Sequence, residues 1–306
     1  MLKPQFGMQT FPGNLFFSAR KGFIWLVISL LITFIFLSGS QLLENQNFNS
    51  YTSRESLIKS FPELATQLNS PEKLTFSTQI QDTNSQPYNG LKGQTSDSGD
   101  TLAAFYPENY QRPFVMEATG IKATLQPLGA NPAQVTVDEG MAVYRGAYAK
   151  TDSLHLVTGG QSKEILLLHD RTAPTQFEYN LTIPSGTTAR LDGDSVAIFD
   201  ASGKGLRIMP PWLVDAKGQK HAEENVIRWE MREPPVLQAD GAQSIKLVLA
   251  LFPVNLAYPL AIDPTWSLTV SMQAQHYFQT ATRLQDGRVL VVGGLQDSCG
   301  CATSLA

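Results

Sequence analysis

From residue 114 to residue 252 the chain repeats one pattern: short runs with apolar residues at every second position, separated by clusters of Gly, Pro, Asn and Asp. Period-two patterning puts alternate side chains on opposite faces of an extended chain. These runs therefore predict strands over 114–119, 121–125, 134–137, 142–148, 153–156, 164–168, 176–183, 196–199, 206–209, 226–230 and 245–252. The stretch 189–216 shows the logic most clearly. Val196, Ile198, Leu206 and Ile208 alternate with smaller or polar neighbours, and Asp192-Gly193 and Asp200-Ala-Ser-Gly203 stand between the runs. Gly193 and Gly203 accept the positive φ of tight hairpin turns, and aspartate hydrogen-bonds its own backbone, so the stretch reads as a β-meander.

No long amphipathic helix interrupts the series, and its spacing predicts an all-β fold: antiparallel sheets packed face to face as a β-sandwich over residues 101–265. In Ile245-Lys-Leu-Val-Leu-Ala-Leu-Phe-Pro253 both faces are mostly apolar, which predicts a central strand covered on both sides and ended by Pro253. Trp212, Trp229 and Trp266 are expected in the packing, each with an indole N–H that needs a partner.

A different pattern opens the chain. Phe23 to Leu37 is apolar apart from Ser29 and Thr33, follows Arg20-Lys21 and precedes Ser38-Gly39-Ser40. A basic flank before such a run marks export: the flank stays cytoplasmic and the chain beyond it crosses. The run is either kept as an anchor, which its length slightly favours, or removed after small residues near Ser40. Residues 1–40 are thus a signal or membrane anchor, with the membrane a partner through residues 23–37. The location implied is the cell envelope with the C-terminal part extracytoplasmic, or secretion. A buried soluble helix would carry a polar face, and this run has none.

Residues 41–100 read as a stalk or linker with short helices. Thr52-Ser-Arg-Glu55 and Ser60-Phe-Pro-Glu63 have the spacing of a capping box, and Pro62 places a break near Phe61. Leu57, Ile58, Phe61, Leu64 and Leu68 supply an apolar set that packs on the β-domain or on nothing in this chain. Residues 81–100 are rich in Gln, Asn, Ser, Asp and Gly, which predicts a flexible connector.

Several phrases of the central module, in order, carry a resemblance. They are Val143-Tyr-Arg-Gly-Ala-Tyr148, Gln161-Ser-Lys-Glu-Ile-Leu-Leu-Leu168, Asp200-Ala-Ser-Gly203, Pro210-Pro-Trp-Leu-Val-Asp215 and Tyr258-Pro-Leu-Ala-Ile-Asp-Pro-Thr265. Together they resemble the β-rich N-terminal module of large bacterial surface proteins, including wall-associated proteins of the Rhs/YD-repeat type. The resemblance implies an extracellular structural or presenting module and brings no catalytic residues with it. Asp263 beside Pro264 is expected to cap this module by accepting backbone amides.

Residues 266–306 begin a second pattern: Thr280-Ala-Thr-Arg-Leu284, a turn at Asp286-Gly287, Val289-Leu-Val-Val292, then Gly293-Gly294. This resembles the opening of a kelch repeat, as in galactose-oxidase-like propellers, although Gln279 and His276 stand where a histidine and an arginine are common. A kelch blade takes about fifty residues and a propeller needs several blades. The reading here is an incomplete propeller blade, with the chain a fragment or its missing blades supplied by a partner.

Charge and cysteines narrow the field. Lys plus Arg total 23 against 27 Asp plus Glu, with no positive surplus to displace counterions, so nucleic acid is not an expected partner. Cys299 and Cys301 are the only cysteines. A bond between them would be strained, so pairing beyond the present end is preferred, and metal capture lacks companion ligands. His155, His169, His221 and His276 show no metal spacing, and Asp192, Asp194 and Asp200 read as turn residues rather than a calcium loop. Ser153 lacks a nucleophile-elbow context.

No catalytic, metal or cofactor residue is assigned. The leading expectation is a non-enzymatic envelope-associated or secreted β-module that presents a kelch-type propeller, with a cell-envelope protein or glycan as partner. One alternative is the N-terminal part of a galactose-oxidase-like enzyme whose catalytic blades lie elsewhere. The other is a glycan- or protein-binding sandwich with Tyr106, Tyr110 or Tyr277 as an exposed aromatic platform.

Overall fold

The computed structural model describes residues 53–68, 71–80, 87–97, 100–253 and 255–269, with short strand pieces between 276 and 302. The apolar run 23–37 lies outside the described residues. Among those described, no helix is long and apolar enough to cross a membrane.

One short helix, α1 (Arg54–Ser60), begins at Ser53, whose hydroxyl accepts the Ser56 N–H at 3.2 Å while the Ser56 hydroxyl donates to the Ser53 carbonyl. The cap is therefore not the expected Thr52–Glu55 box, because Ser53 and Ser56 satisfy each other across the first turn. α1 ends at Phe61, and Pro62 opens a separate 3-10 turn (Pro62–Leu64), since its ring cannot continue the helix before it.

The strands follow in chain order: β1 (Thr75–Ile80), β2 (Tyr88–Asp97), β3 (Asp100–Pro107), β4 (Phe114–Ala118), β5 (Ile121–Leu128), β6 (Val135–Asp138), β7 (Met141–Tyr148), β8 (Thr151–Thr158), β9 (Gln161–Leu168) and β10 (Gln176–Ile183). After them come β11 (Thr188–Asp192), β12 (Ser195–Phe199), β13 (Gly205–Ile208), β14 (Trp212–Val214), β15 (Lys220–His221), β16 (Ile227–Leu237), β17 (Gln243–Leu251), β18 (Leu260–Asp263) and β19 (Thr265–Thr269). They form two antiparallel sheets. The first runs β1-β2-β3-β4-β5-β10-β17-β16, and the second runs β11-β12-β13-β19-β9-β18-β14-β15 with β8, β7 and β6 added on the other side of β9.

The expected connector 81–100 departs from its reading, since β2 takes up Tyr88–Asp97 and pairs with β1 on one side and β3 on the other. Few apolar side chains mark it, because it is held by backbone pairing and close approach. A Cβ on Gly93 would lie 2.6 Å from Val157 Cγ2, so glycine is what lets this strand pass so near β8.

The facing sheets bury Tyr106, Phe114, Leu125, Phe177, Leu247 and Trp229 from the first against Tyr144, Leu166, Ile198, Leu206, Ile262 and Trp266 from the second. β17 lies between β10 and β16, and Val248 and Ala250 on its other face are also buried, as its two apolar faces predict. Trp229 donates its indole N–H to the Met209 carbonyl, whereas Trp212 sits half-buried at the rim with the Lys220 ammonium 4.0 Å from its ring centroid.

The second sheet is covered twice. Its outer face carries Met141, Val143, Leu154, Leu156, Ile165 and Leu167, and onto these pack Leu57, Phe61, Leu64 and Leu68, all fully buried. The helical segment is thus a third layer. Truncating Phe61 to alanine removes most of its apolar contact and is expected to cost about 3–5 kcal/mol in urea unfolding; a loss under about 1 kcal/mol would mean that the segment does not dock.

Candidate functional site

Strand β9 organises the interior. One edge pairs with β8 along its whole length; the other meets β19 at residues 161–163 and β18 at residues 166–168. Between those partners stands Asp263-Pro264-Thr265. Pro264 has no N–H to give a ladder, but its carbonyl accepts the Glu164 N–H at 3.2 Å, so the run from 260 to 269 breaks into two strands there. Opposite the break β9 carries two charged residues in succession, Lys163 and Glu164, and strand alternation sends them to opposite faces of the sheet.

On the inner face Glu164 is buried and lies directly across from His155. Its Oε1 accepts the Tyr110 and Ser153 hydroxyls, each at 2.8 Å, and lies 3.6 Å from His155 Nε2. The Ser153 hydroxyl also lies 2.9 Å from His155 Nε2. Tyr106 bonds Ser162 at 2.9 Å, Tyr144 donates to the Pro107 carbonyl, and the His155 ring stacks on Phe114 at 4.6 Å. The Tyr148 and Tyr179 hydroxyls are buried with no hydrogen-bond partner among the described residues. A void of about 10 Å³, room for roughly one water, is lined by Glu164, His155, Ser162 and Tyr179.

Burial sets the charge states here. It pushes the Glu164 carboxyl from an ordinary value near 4.5 up to about 7, against the hydrogen bonds from Ser153 and Tyr110 that favour the ion. It pushes His155 down to about 3, so the imidazole is neutral in the fold. Tyr106, Tyr110, Tyr144, Tyr148 and Tyr179 are all raised by burial, with the Glu164 charge adding to each.

On the outer face Lys163 and Asp263 are both buried, 3.7 Å apart from Nζ to Oδ2. Lys163 donates to the Thr265 hydroxyl at 3.2 Å, and that hydroxyl donates to Asp263 Oδ1. The expected amide-capping role of Asp263 is thereby corrected: its carboxylate holds a lysine and a hydroxyl, because Pro264 offers no amide. Asp215 does the capping instead, accepting the Lys217 and Gln219 N–H groups at 2.9 and 3.0 Å.

The acid, imidazole and hydroxyl do not form a nucleophilic relay. A relay places the imidazole between hydroxyl and carboxylate, one ring nitrogen to each. Here Ser153 stands between them and Nε2 faces both. The cluster packs a carboxyl and a neutral imidazole between the two sheets.

The other sequence-marked residues lie apart from it. Gly193 (φ 59°) turns between β11 and β12, and Gly203 (φ 83°) closes the loop in which Asp200 Oδ1 accepts the Ser202 N–H at 2.8 Å. Tyr106 and Tyr110 are fully buried, which removes them from any exposed platform, since their hydroxyls have partners inside. Asp286, Gly287, Gly293, Gly294 and Cys299, with the side chains of Tyr277 and Cys301, lie outside the described residues. Among the described residues no group of three or more His, Cys, Asp or Glu is gathered to hold a metal ion. Sequence reasoning missed Lys163, Glu164 and Tyr179; a carboxylate on the same strand face as Leu166 and Leu168 was the available signal. Neither the protein-family models nor the curated protein sequences contain a match to this chain.

Two outcomes follow from the charge states and the junction. A carboxyl whose folded value is raised favours the folded state fully below pH 4.5 and loses that contribution as pH climbs through 7; a depressed histidine acts oppositely, losing stability as pH falls from 6.5 towards 3. Glu164→Gln should therefore gain about 2–3 kcal/mol relative to the parent between pH 4.5 and 8 in urea unfolding, and a pH-independent difference would refute the assignment. Asp263→Ala strands the Lys163 charge and should cost about 3–5 kcal/mol, whereas the double replacement Lys163→Met with Asp263→Leu should cost far less. Equal costs for the two would show that the pair is not charged.

Proposed function

We propose that this protein is an exported, envelope-associated β-module with no catalysis of its own, which holds a kelch-type repeat on the far side of the membrane. The sealing of the interior carries this reading. The buried acid and imidazole line a void of only about 10 Å³, which supports a part in packing the two sheets rather than in meeting a substrate. Such a sandwich suits a support. The order of the Rhs/YD-like phrases is consistent with it, and they fall on structural positions: strands β7 and β9, the Asp200 and Asp215 turns and the Pro264 break.

The N-terminal pattern supports the compartment. Only the fifteen residues 38–52 separate the apolar run from the helical segment that packs on the sandwich, a reach of at most about 50 Å. A retained anchor would hold the module close to the bilayer. At the other end β19 leads towards β20 (His276–Tyr277), β21 (Thr280–Arg283), β22 (Val289–Val292), β23 (Leu295–Gln296) and β24 (Cys301–Ala302). β21 pairs antiparallel with β22 from Thr280↔Val292 to Arg283↔Val289, a hairpin one residue out of the register expected from an Asp286-Gly287 turn.

Alkaline phosphatase, active only after export, tests the topology when joined behind Ala306 of the full chain in a Gram-negative host. The fusion is expected to be active and the matching green fluorescent protein fusion dark. The reverse pattern would sink the proposal.

A further inference from the structure

The outer face of the second sheet holds a second feature, independent of the reading above. In register across β11, β12 and β13, Arg190 pairs with Ala197 and Ala197 with Arg207, so one small buried residue forms a floor between two guanidiniums. Asp192, Phe199 and Gly203 complete an open cleft of about 260 Å³. That lies just below the roughly 300–1,000 Å³ of drug-sized pockets, so its occupant is small.

The two arginines are differently prepared. Arg207 is fixed, donating from Nη2 to Asp192 Oδ2 at 2.7 Å and from Nη1 to the Ser195 hydroxyl, and it holds the Asp192 carboxyl below the usual range. Several of its five donors remain. Arg190 lies 5.1 Å over the Phe199 ring centroid and makes no hydrogen bond or ion pair among the described residues. Two guanidiniums against one carboxylate leave a single net positive charge in the lining, and in the adjoining turns Asp194 and Asp200 outnumber Lys204. That balance suits a monoanion and opposes a dianion.

We infer that this cleft binds a small ring-bearing carboxylate, of the size of one sugar acid, with its carboxylate in the fork of Arg190, Arg207 flanking it, and its ring over the Ala197 floor at the edge of Phe199. The planar guanidinium fork matches a carboxylate in two parallel hydrogen bonds, and the floor offers apolar surface to the C–H face of a sugar. Asp192 positions Arg207 and does not itself touch the ligand.

Calorimetric titration of the purified full chain with glucuronate, glucose and inorganic phosphate tests this. Glucuronate should bind saturably with a millimolar or tighter Kd, glucose should give no saturable heat, and phosphate should bind more weakly than glucuronate. Arg190→Ala should weaken glucuronate at least about tenfold, and Arg190→Lys, which keeps the charge and loses the fork, should fall between it and the parent. Thermal melts matching the parent certify the fold of each variant; if the alanine variant melts early, the lysine variant decides. Absent saturation, undiminished affinity in the folded variants, or tighter binding of phosphate would overturn the inference.

Discussion

Two charged residues buried side by side on β9 constrain everything around them. Lys163 and Glu164 occupy consecutive positions of a strand covered on both faces, so each ionisable group leaves water on a different side of the same sheet. Desolvating either charge alone costs several kcal/mol, and the neighbouring sequence is shaped by the need to offset that cost. Pro264 interrupts the partner strand opposite them. The interruption brings Asp263 and Thr265 to Lys163 on one face, while Tyr110 and Ser153 meet Glu164 on the other.

The architecture follows from that junction. Because β18 and β19 share one edge of β9 in succession, one branch of the second sheet leads to β14 and β15 and the other to β13, β12 and β11. Around the inner carboxyl stand Tyr106, Tyr144 and Tyr179 from the two sheets and Tyr110 from the β3–β4 loop, so polar as well as apolar contact ties the sandwich together. The outer face needs the cover that Leu57, Phe61, Leu64 and Leu68 provide. A segment that reads as a stalk is thus part of the domain.

Much of this was legible in the chain. Period-two runs located most of the strands from Phe114 to Leu251, though not β11, β14 or β15, and the turn chemistry of Asp192-Gly193 and Asp200-Ala-Ser-Gly203 located the hairpins, because both signals are local. Pro62 placed the break after α1 for the same reason. The rest depends on partners distant in sequence. Tyr110 looks like a surface aromatic until its hydroxyl meets Glu164 fifty-four residues later, and β2 looks like a linker until Gly93 passes beneath Val157. Asp263 suggests a cap by its place next to proline, yet its role was decided by Lys163 on another strand, one hundred residues earlier. Arg190 and Arg207 came into one row only through the meander's register.

The most direct measurement follows the Glu164 carboxyl carbon by NMR through a pH titration of the folded protein, with glutamate labelled at Cδ and the resonance assigned by Glu164→Gln. A dry, caged carboxyl predicts a midpoint near 7. A midpoint in the ordinary carboxylate range, near 4.5, would mean that water reaches the junction and that the interior is not closed as described.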